Sequence, residues 1–156
     1  MSALDDRTDV EEVLMRLIRA LDERDWDAAA SCLTEDFRYA QPVKGAFVSS
    51  GEIAGREAFL EMAQSIERRA SLVQHYLANV VVRVDGDEAQ GWASAFVVHV
   101  FGEGETSEVV HSGARMEHTF RRTAGGWKVA RLVGVPIWRD ARFFGLARGT
   151  LAPSGS

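Results

Sequence analysis

The chain has 156 residues, 46% hydrophobic and 26% charged, with a formal net charge of −5 and a pI near 5.4. This is an ordinary globular composition, large enough for a sizeable core, and its acidic balance argues against nucleic acid or an anionic membrane as a partner. The lone Cys32 excludes an internal disulfide or a cysteine metal cage, the acidic start is no signal peptide, and no apolar run approaches the ~20 residues of a membrane span, so a cytoplasmic location is expected.

Thr8 and Glu11 have the spacing of a capping box, and Val10, Val13, Leu14, Leu17, Ile18 and Leu21 recur at three and four, which predicts an amphipathic helix ending near Glu23. Asp22 continues the Leu14–Ile18 ridge, so its carboxylate starts from the edge of the buried face. A second, short helix is expected from Asp25 to Leu33. Short strands follow at 37–40 and 46–48, then a loop at 50–55 and a helix from Arg56 to Arg68 with Phe59, Leu60, Ala63 and Ile66 inward.

Val73 to Phe101 reads as two long strands joined at Asp85-Gly86-Asp87. With a three-residue loop Val84 faces Glu88, His75 lies opposite Val97, and His99 is its diagonal neighbour on the same face. A two-residue loop would put the histidines on opposite faces, because a slip of one residue inverts every side chain. Two more strands are expected at 109–122 and 127–138, around Gly125-Gly126, and the apolar segment 142–146 is expected to dock. His111 and His118 have opposite parity, so at most one joins the other histidines.

Helices first and long strands afterwards indicate an α+β fold: a strongly bent antiparallel sheet wrapped around three helices, with a cavity between them. No linker marks a second domain within 1–156, and the ordered core is expected over about 8–146. Nucleotide fingerprints, His-Glu-x-x-His and Gly-x-Ser-x-Gly are all missing from the sequence. Asp22, His75 and His99 remain as candidate catalytic residues. The aspartate would orient one imidazole as a general base, and the other histidine, if protonated, would donate a proton or a hydrogen bond. The same three groups also match a two-histidine, one-carboxylate metal face, although nothing in the sequence identifies its supporting shell.

The segments Leu21-Asp22-Glu23-Arg24-Asp25-Trp26-Asp27, Gln74-His75-Tyr76, Gly91-Trp92 with His99 seven residues on, and Gly126-Trp127-Lys128 resemble scytalone dehydratase and its SnoaL-like relatives from about Val10 to Trp138. The resemblance implies a cystatin-like cone of the nuclear-transport-factor-two-like superfamily, with a deep apolar pocket and no cofactor; no metal is expected either. It also implies an Asp22–His75 pair and a second pocket histidine at His99. The family's two pocket phenols are replaced by Leu21 and, near Gln41, by Tyr39 as the nearest phenol. Tyr39, Gln41, Leu21, Trp26 and Phe59 are therefore the expected substrate-binding residues. The expected activity is a cofactor-independent lyase or isomerase acting on a small apolar ring-containing carbonyl compound. The alternative is a non-catalytic binding or assembly domain resembling the small subunits of ring-hydroxylating oxygenases. A homodimer or homotrimer through the open sheet face is the expected assembly.

Overall fold

The computed structural model describes residues 3–41 and 51–151. Helix α1 spans Ala3–Glu23 and buries the predicted ridge from Val10 to Leu21. It starts more than a turn before Thr8, so the expected capping box does not form. The Thr8 hydroxyl donates to the Leu4 carbonyl, and Glu11 accepts from Arg7 at 2.9 Å. The earlier start suits Asp5 and Asp6, which lie in the first turn where the helix dipole favours carboxylates. Asp6 is further tied to Arg122 at 2.7 Å. Arg24 turns the chain in a left-handed conformation, φ 58°, and Asp25 caps α2 (Trp26–Cys32) by accepting the Ala28 N–H at 3.0 Å.

Strands β1 (Leu33–Ala40) and β2 (Glu52–Ala54) lead into helix α3 (Arg56–Glu67). Four long strands follow: β3 (Ala70–Asp85), β4 (Glu88–Phe101), β5 (Glu108–Thr123) and β6 (Gly126–Arg139). They form one six-stranded sheet in the order β2-β1-β6-β5-β4-β3, curled around α1 and α3. Two expectations are corrected here. Residues 52–54 pair with β1 rather than forming a loop, and β1 runs parallel to β6 although every other pairing is antiparallel. The expected strand at 46–48 lies outside the described residues. The apolar tail docks as a fourth helix, α4 (Phe143–Arg148), burying Phe143, Leu146 and Ala147.

The register of the β3–β4 hairpin differs from the expectation and still produces its consequence. Asp85 faces Glu88, so the loop is the two-residue Gly86-Asp87. From Val84–Ala89 to Val81–Trp92 the strands keep that register, in which the histidines would diverge. Between Ala78 and Val81 two residues of β3 then oppose the single Ala93 of β4. This β-bulge inverts the parity of everything beyond it, because the side-chain period of a strand is two. Val80, Val82 and Val84 point inward on one side of the bulge; Val73, His75 and Leu77 do so on the other. His75 consequently pairs with Val97, and His99 with Val73, on one face.

The bulge residue Asn79 has φ 54°, a left-handed conformation that asparagine and glycine tolerate and β-branched residues resist. Asn79→Val is expected to lower stability by about 1–3 kcal/mol and Asn79→Gly to change it far less, as read by chemical denaturation. Equal losses in the two variants would show that the left-handed conformation does not govern this position.

Candidate active site

Asp22 stands at the end of α1 beside β3, an edge strand whose outward N–H groups have no neighbouring strand among the described residues. Its carboxylate accepts the His75 backbone N–H, at 3.0 Å from Oδ2 and 3.2 Å from Oδ1. Oδ1 also lies 2.6 Å from His75 Nδ1. A carboxylate there makes Nδ1 the protonated nitrogen and leaves the Nε2 lone pair available to the cavity that His75 lines. Ring and backbone are thus held by one side chain, a geometry that orients a general base.

The cavity, about 160 Å³, lies between the concave face of the sheet and helices α1 and α3. That volume is close to the apolar cavity known to accept a single benzene ring. Leu21, Tyr39, Gln41 and Phe59 line it together with His75 and His99. Trp26 is the exception among the expected binding residues. It opens α2 beyond the Arg24 turn and packs half-buried against the core instead of the cavity. Burial pushes the Tyr39 phenol up to about 12, against its hydrogen bond to Gln41, so it remains a neutral donor or acceptor at physiological pH.

His99 is 7% exposed, packs edge-on against Phe143 at 4.7 Å, and has no hydrogen-bond partner at its buried Nδ1. Burial, reinforced by electrostatic repulsion from the neighbouring His75 and Arg139, depresses it to about 4. His99 is therefore neutral near pH 7. A neutral imidazole there is able to give one N–H or accept one hydrogen bond. His118 also lines the cavity, whereas His111 lies on the outer face stacked on Phe96 at 5.4 Å. The parity of β5 separates them as expected.

Two lining residues escaped the sequence reading. Arg139 enters because β6 carries a bulge at Ile137: Pro136 pairs with Ala114 and Trp138 with Gly113. The extra residue turns Trp138 outward and Arg139 inward, over the Phe144 ring at 4.4 Å. A second bulge at Ala130, between the Thr119–Arg131 and Phe120–Val129 pairs, offsets this one, so Arg139 shares the parity of the buried Trp127 and Val129. Glu67 is different. It follows Leu60 by seven and Ala63 by four, on the apolar ridge of α3, so the helical period already marked it as inward. It lines the cavity at 6% exposure. Burial is the main cause that pushes its carboxyl up to about 7, over the opposing pull of His75 and Arg24.

Among the described residues no three His, Cys, Asp or Glu side chains converge as a metal-ligand set, and no helix is long and apolar enough to cross a membrane. The SnoaL-like domain model matches residues 2–133. The chain belongs to the SnoaL-like family. An uncharacterized protein of Mycobacterium tuberculosis is 28% identical over 134 residues, covering 85% of this chain and 86% of the relative. Among solved structures, a Kribbella flavida protein superposes with a TM-score of 0.82 at 18% identity, over 94% of this chain and 99% of the other. A proposed scytalone dehydratase of Novosphingobium aromaticivorans gives 0.75 at 16% identity, over 88% and 87% of the two chains. Hexachlorocyclohexane dehydrochlorinase type three of Novosphingobium barchaimii gives 0.73 at 19% identity, over 88% and 90%. At these identities the structural matches establish the shared cystatin-like cone and leave the chemistry to the site's own residues.

His118 is 3% exposed, and burial depresses its imidazole to about 4. An unfolded histidine takes up its proton near 6.5, so between about 6.5 and 4 the unfolded state binds more protons and stability falls as the pH drops. His118→Leu removes this one contribution. Its midpoint of thermal unfolding, relative to the wild type, is expected to rise as the pH is lowered through that window. A constant difference between the two proteins would place His118 in a solvated environment.

Proposed function

We propose that this protein is a cofactor-independent lyase or isomerase acting on a small, largely apolar cyclic carbonyl compound. One observation carries the reading: the 2.6 Å Asp22–His75 contact, which leaves Nε2 of the ring facing the cavity. A binding pocket gains little from such a pair, whereas a general base needs its tautomer fixed and its cationic form stabilised. In the proposed step His75 Nε2 removes a proton α to the carbonyl, and the Asp22 carboxylate stabilises the imidazolium that forms. The developing enolate oxygen is met by neutral donors, for which the Tyr39 hydroxyl and His99 are the candidates on the cavity wall. The apolar lining of Leu21, Phe59, Met62 and Val97 excludes water and holds the ring. Loss of a β-substituent completes a lyase reaction; return of the proton at another carbon completes an isomerisation. Dehydratase- and dehydrochlorinase-type relatives share the cone, which supports an elimination without identifying the group that leaves.

Positioned acid–base groups contribute roughly 10²–10⁴-fold in rate, enough for activated α-protons. With β-tetralone as a probe, deuterium uptake from deuterated water is expected to be faster with the wild type than with Asp22→Asn by about 10²–10³-fold. Equal exchange rates, at concentrations where both proteins bind the ketone, would favour the binding-domain alternative.

Self-association belongs to the same proposal. On the outer face of the sheet Tyr76, Phe96 and Trp138 are 51%, 41% and 49% exposed, and both flanking rings lie within about 6 Å of the central Phe96 ring. A contiguous aromatic patch of this kind on a soluble chain is the hallmark of an interface, here with a second copy. Sedimentation velocity is expected to show a species larger than the 17.2 kDa monomer, and Phe96→Asp to dissociate it. A wild type that sediments as a monomer at micromolar concentration would remove self-association from the reading.

A further inference from the structure

The proposed dyad supplies a base but no acid, since His99 is neutral at physiological pH. A hydroxyl leaves an unactivated carbon poorly unless a proton reaches it. The cavity wall holds one further side chain suited to that task. Glu67 closes α3, is 6% exposed as a residue, and lines the same cavity as His75. Its Oε2 is buried without any hydrogen-bond partner. The nearest cation, Arg24, holds Nε at 3.7 Å from that oxygen, too far for a hydrogen bond. Arg24 does not come closer because its guanidinium is engaged elsewhere: Nη2 donates to the backbone carbonyls of Glu67 at 3.1 Å and Ala70 at 2.5 Å.

An ionised carboxylate in this position would face the C-terminal end of its own helix and the Asp22 charge, with an oxygen left unsatisfied. A protonated carboxyl avoids all three penalties and carries an O–H whose acceptor has to come from the cavity. We infer that Glu67 is the proton donor of this site, held as a neutral carboxylic acid and delivering its proton to the leaving oxygen of a β-hydroxy carbonyl compound. The inference rests on the proposed acid–base reading and narrows it to dehydration. In that step His75 Nε2 takes the α-proton, the C–H electron pair forms the new double bond, and the C–O bond breaks at the β-carbon. The oxygen leaves with the Glu67 proton as water. The products are an enone and water; His75 then releases its proton to solvent, and Glu67 takes one back.

The directions of the ionisations agree with these roles. Asp22 from the end of α1, Arg24 from the turn after it, His75 from β3, His99 from β4, His118 from β5, and Arg139 and Tyr39 across the cavity are the titratable groups around this cavity. Burial outweighs the positive ones and carries Glu67 up to about 7. A carboxyl raised by burial, beside a second carboxylate that is fully engaged with His75, is placed as an acid is in carboxylate enzymes.

Glu67→Gln preserves shape and removes the transferable proton. The first measurement needs no substrate. Infrared difference spectra of the free wild type are expected to lose a protonated-carboxyl C=O band as the pH is raised through about 7, and Glu67→Gln to lack that band. Folding has a matching signature. An unfolded glutamate ionises near 4.3, so between about 4.3 and 7 the folded state binds more protons and wild-type stability falls as the pH rises. Glu67→Gln is expected to gain in unfolding midpoint over the wild type across that window.

The second measurement is dehydration of β-hydroxycyclohexanone to cyclohexenone, followed by ultraviolet absorbance. The wild-type rate is expected to fall above about pH 7, and Glu67→Gln to be slower by about 10²–10³-fold with that alkaline limb removed. An alkaline limb that persists in Glu67→Gln, or an unchanged rate, overturns the assignment. So does a Glu67 that is already ionised well below pH 7 in the infrared spectra. A wild type that exchanges α-protons no faster than Asp22→Asn counts against the proposed base instead, and the infrared result still decides on Glu67.

Discussion

A carboxylate that meets the open edge of the sheet sets the geometry on which the site depends. Strand β3 pairs with β4 on one side only, so alternate backbone N–H groups on its other side need partners from elsewhere. Asp22 supplies one at His75 and in the same position accepts the ring N–H. The end of α1 is thereby fastened to the middle of the cavity wall, and the orientation of the imidazole becomes a consequence of how the helix docks. A hydrogen bond to a charged acceptor is worth roughly 1.5–3 kcal/mol, so this attachment stabilises the fold while it orients the imidazole.

Two β-bulges decide what else faces that carboxylate. The bulge at Asn79 brings His75 and His99 onto one face despite a two-residue hairpin loop, and the bulge at Ile137 turns Arg139 into the cavity. Each adds one residue to one strand and inverts the alternation beyond it. The bends they introduce also suit a sheet that must curl around α1 and α3. Curvature and side-chain placement therefore come from the same irregularities, and removing either bulge would exchange the inner and outer faces of a whole strand end.

This explains what was legible in the sequence. The α1 ridge, the α3 ridge and the four long strands follow from periodicity and composition, and the Asp22–His75 pair follows from the resemblance carried by their flanking residues. The histidine convergence was reached through a loop length that does not occur; a second irregularity compensated for the first. Bulges are set by tertiary curvature and leave little local trace; in β6 two of them offset each other, so Arg139 faces inward with the parity of Trp127 and Val129. Glu67 was legible as an inward-facing acid on an apolar ridge, a conflict between pattern and polarity of the kind that marks functional positions. Trp26 was misassigned because the matching motif spans a helix break, and residues on opposite sides of the Arg24 turn face different surroundings.

The cavity also illustrates how one desolvating environment sorts chemically similar groups. Removal from water disfavours charge, and so it lowers His99 and His118 while raising Glu67 and Tyr39. Asp22 has its carboxylate oxygens occupied by three hydrogen-bonding contacts with His75. Of the two carboxyl groups near His75, one is therefore hydrogen-bonded and the other holds a buried oxygen without a partner. The difference does not lie in residue type, since aspartate and glutamate have nearly the same intrinsic acidity. It lies in which of them reaches the free N–H groups of an edge strand and which is left facing an apolar wall. The backbone carbonyls of Glu67 and Ala70 engage the Arg24 guanidinium, and Glu67 Oε2 is left buried without a hydrogen-bond partner.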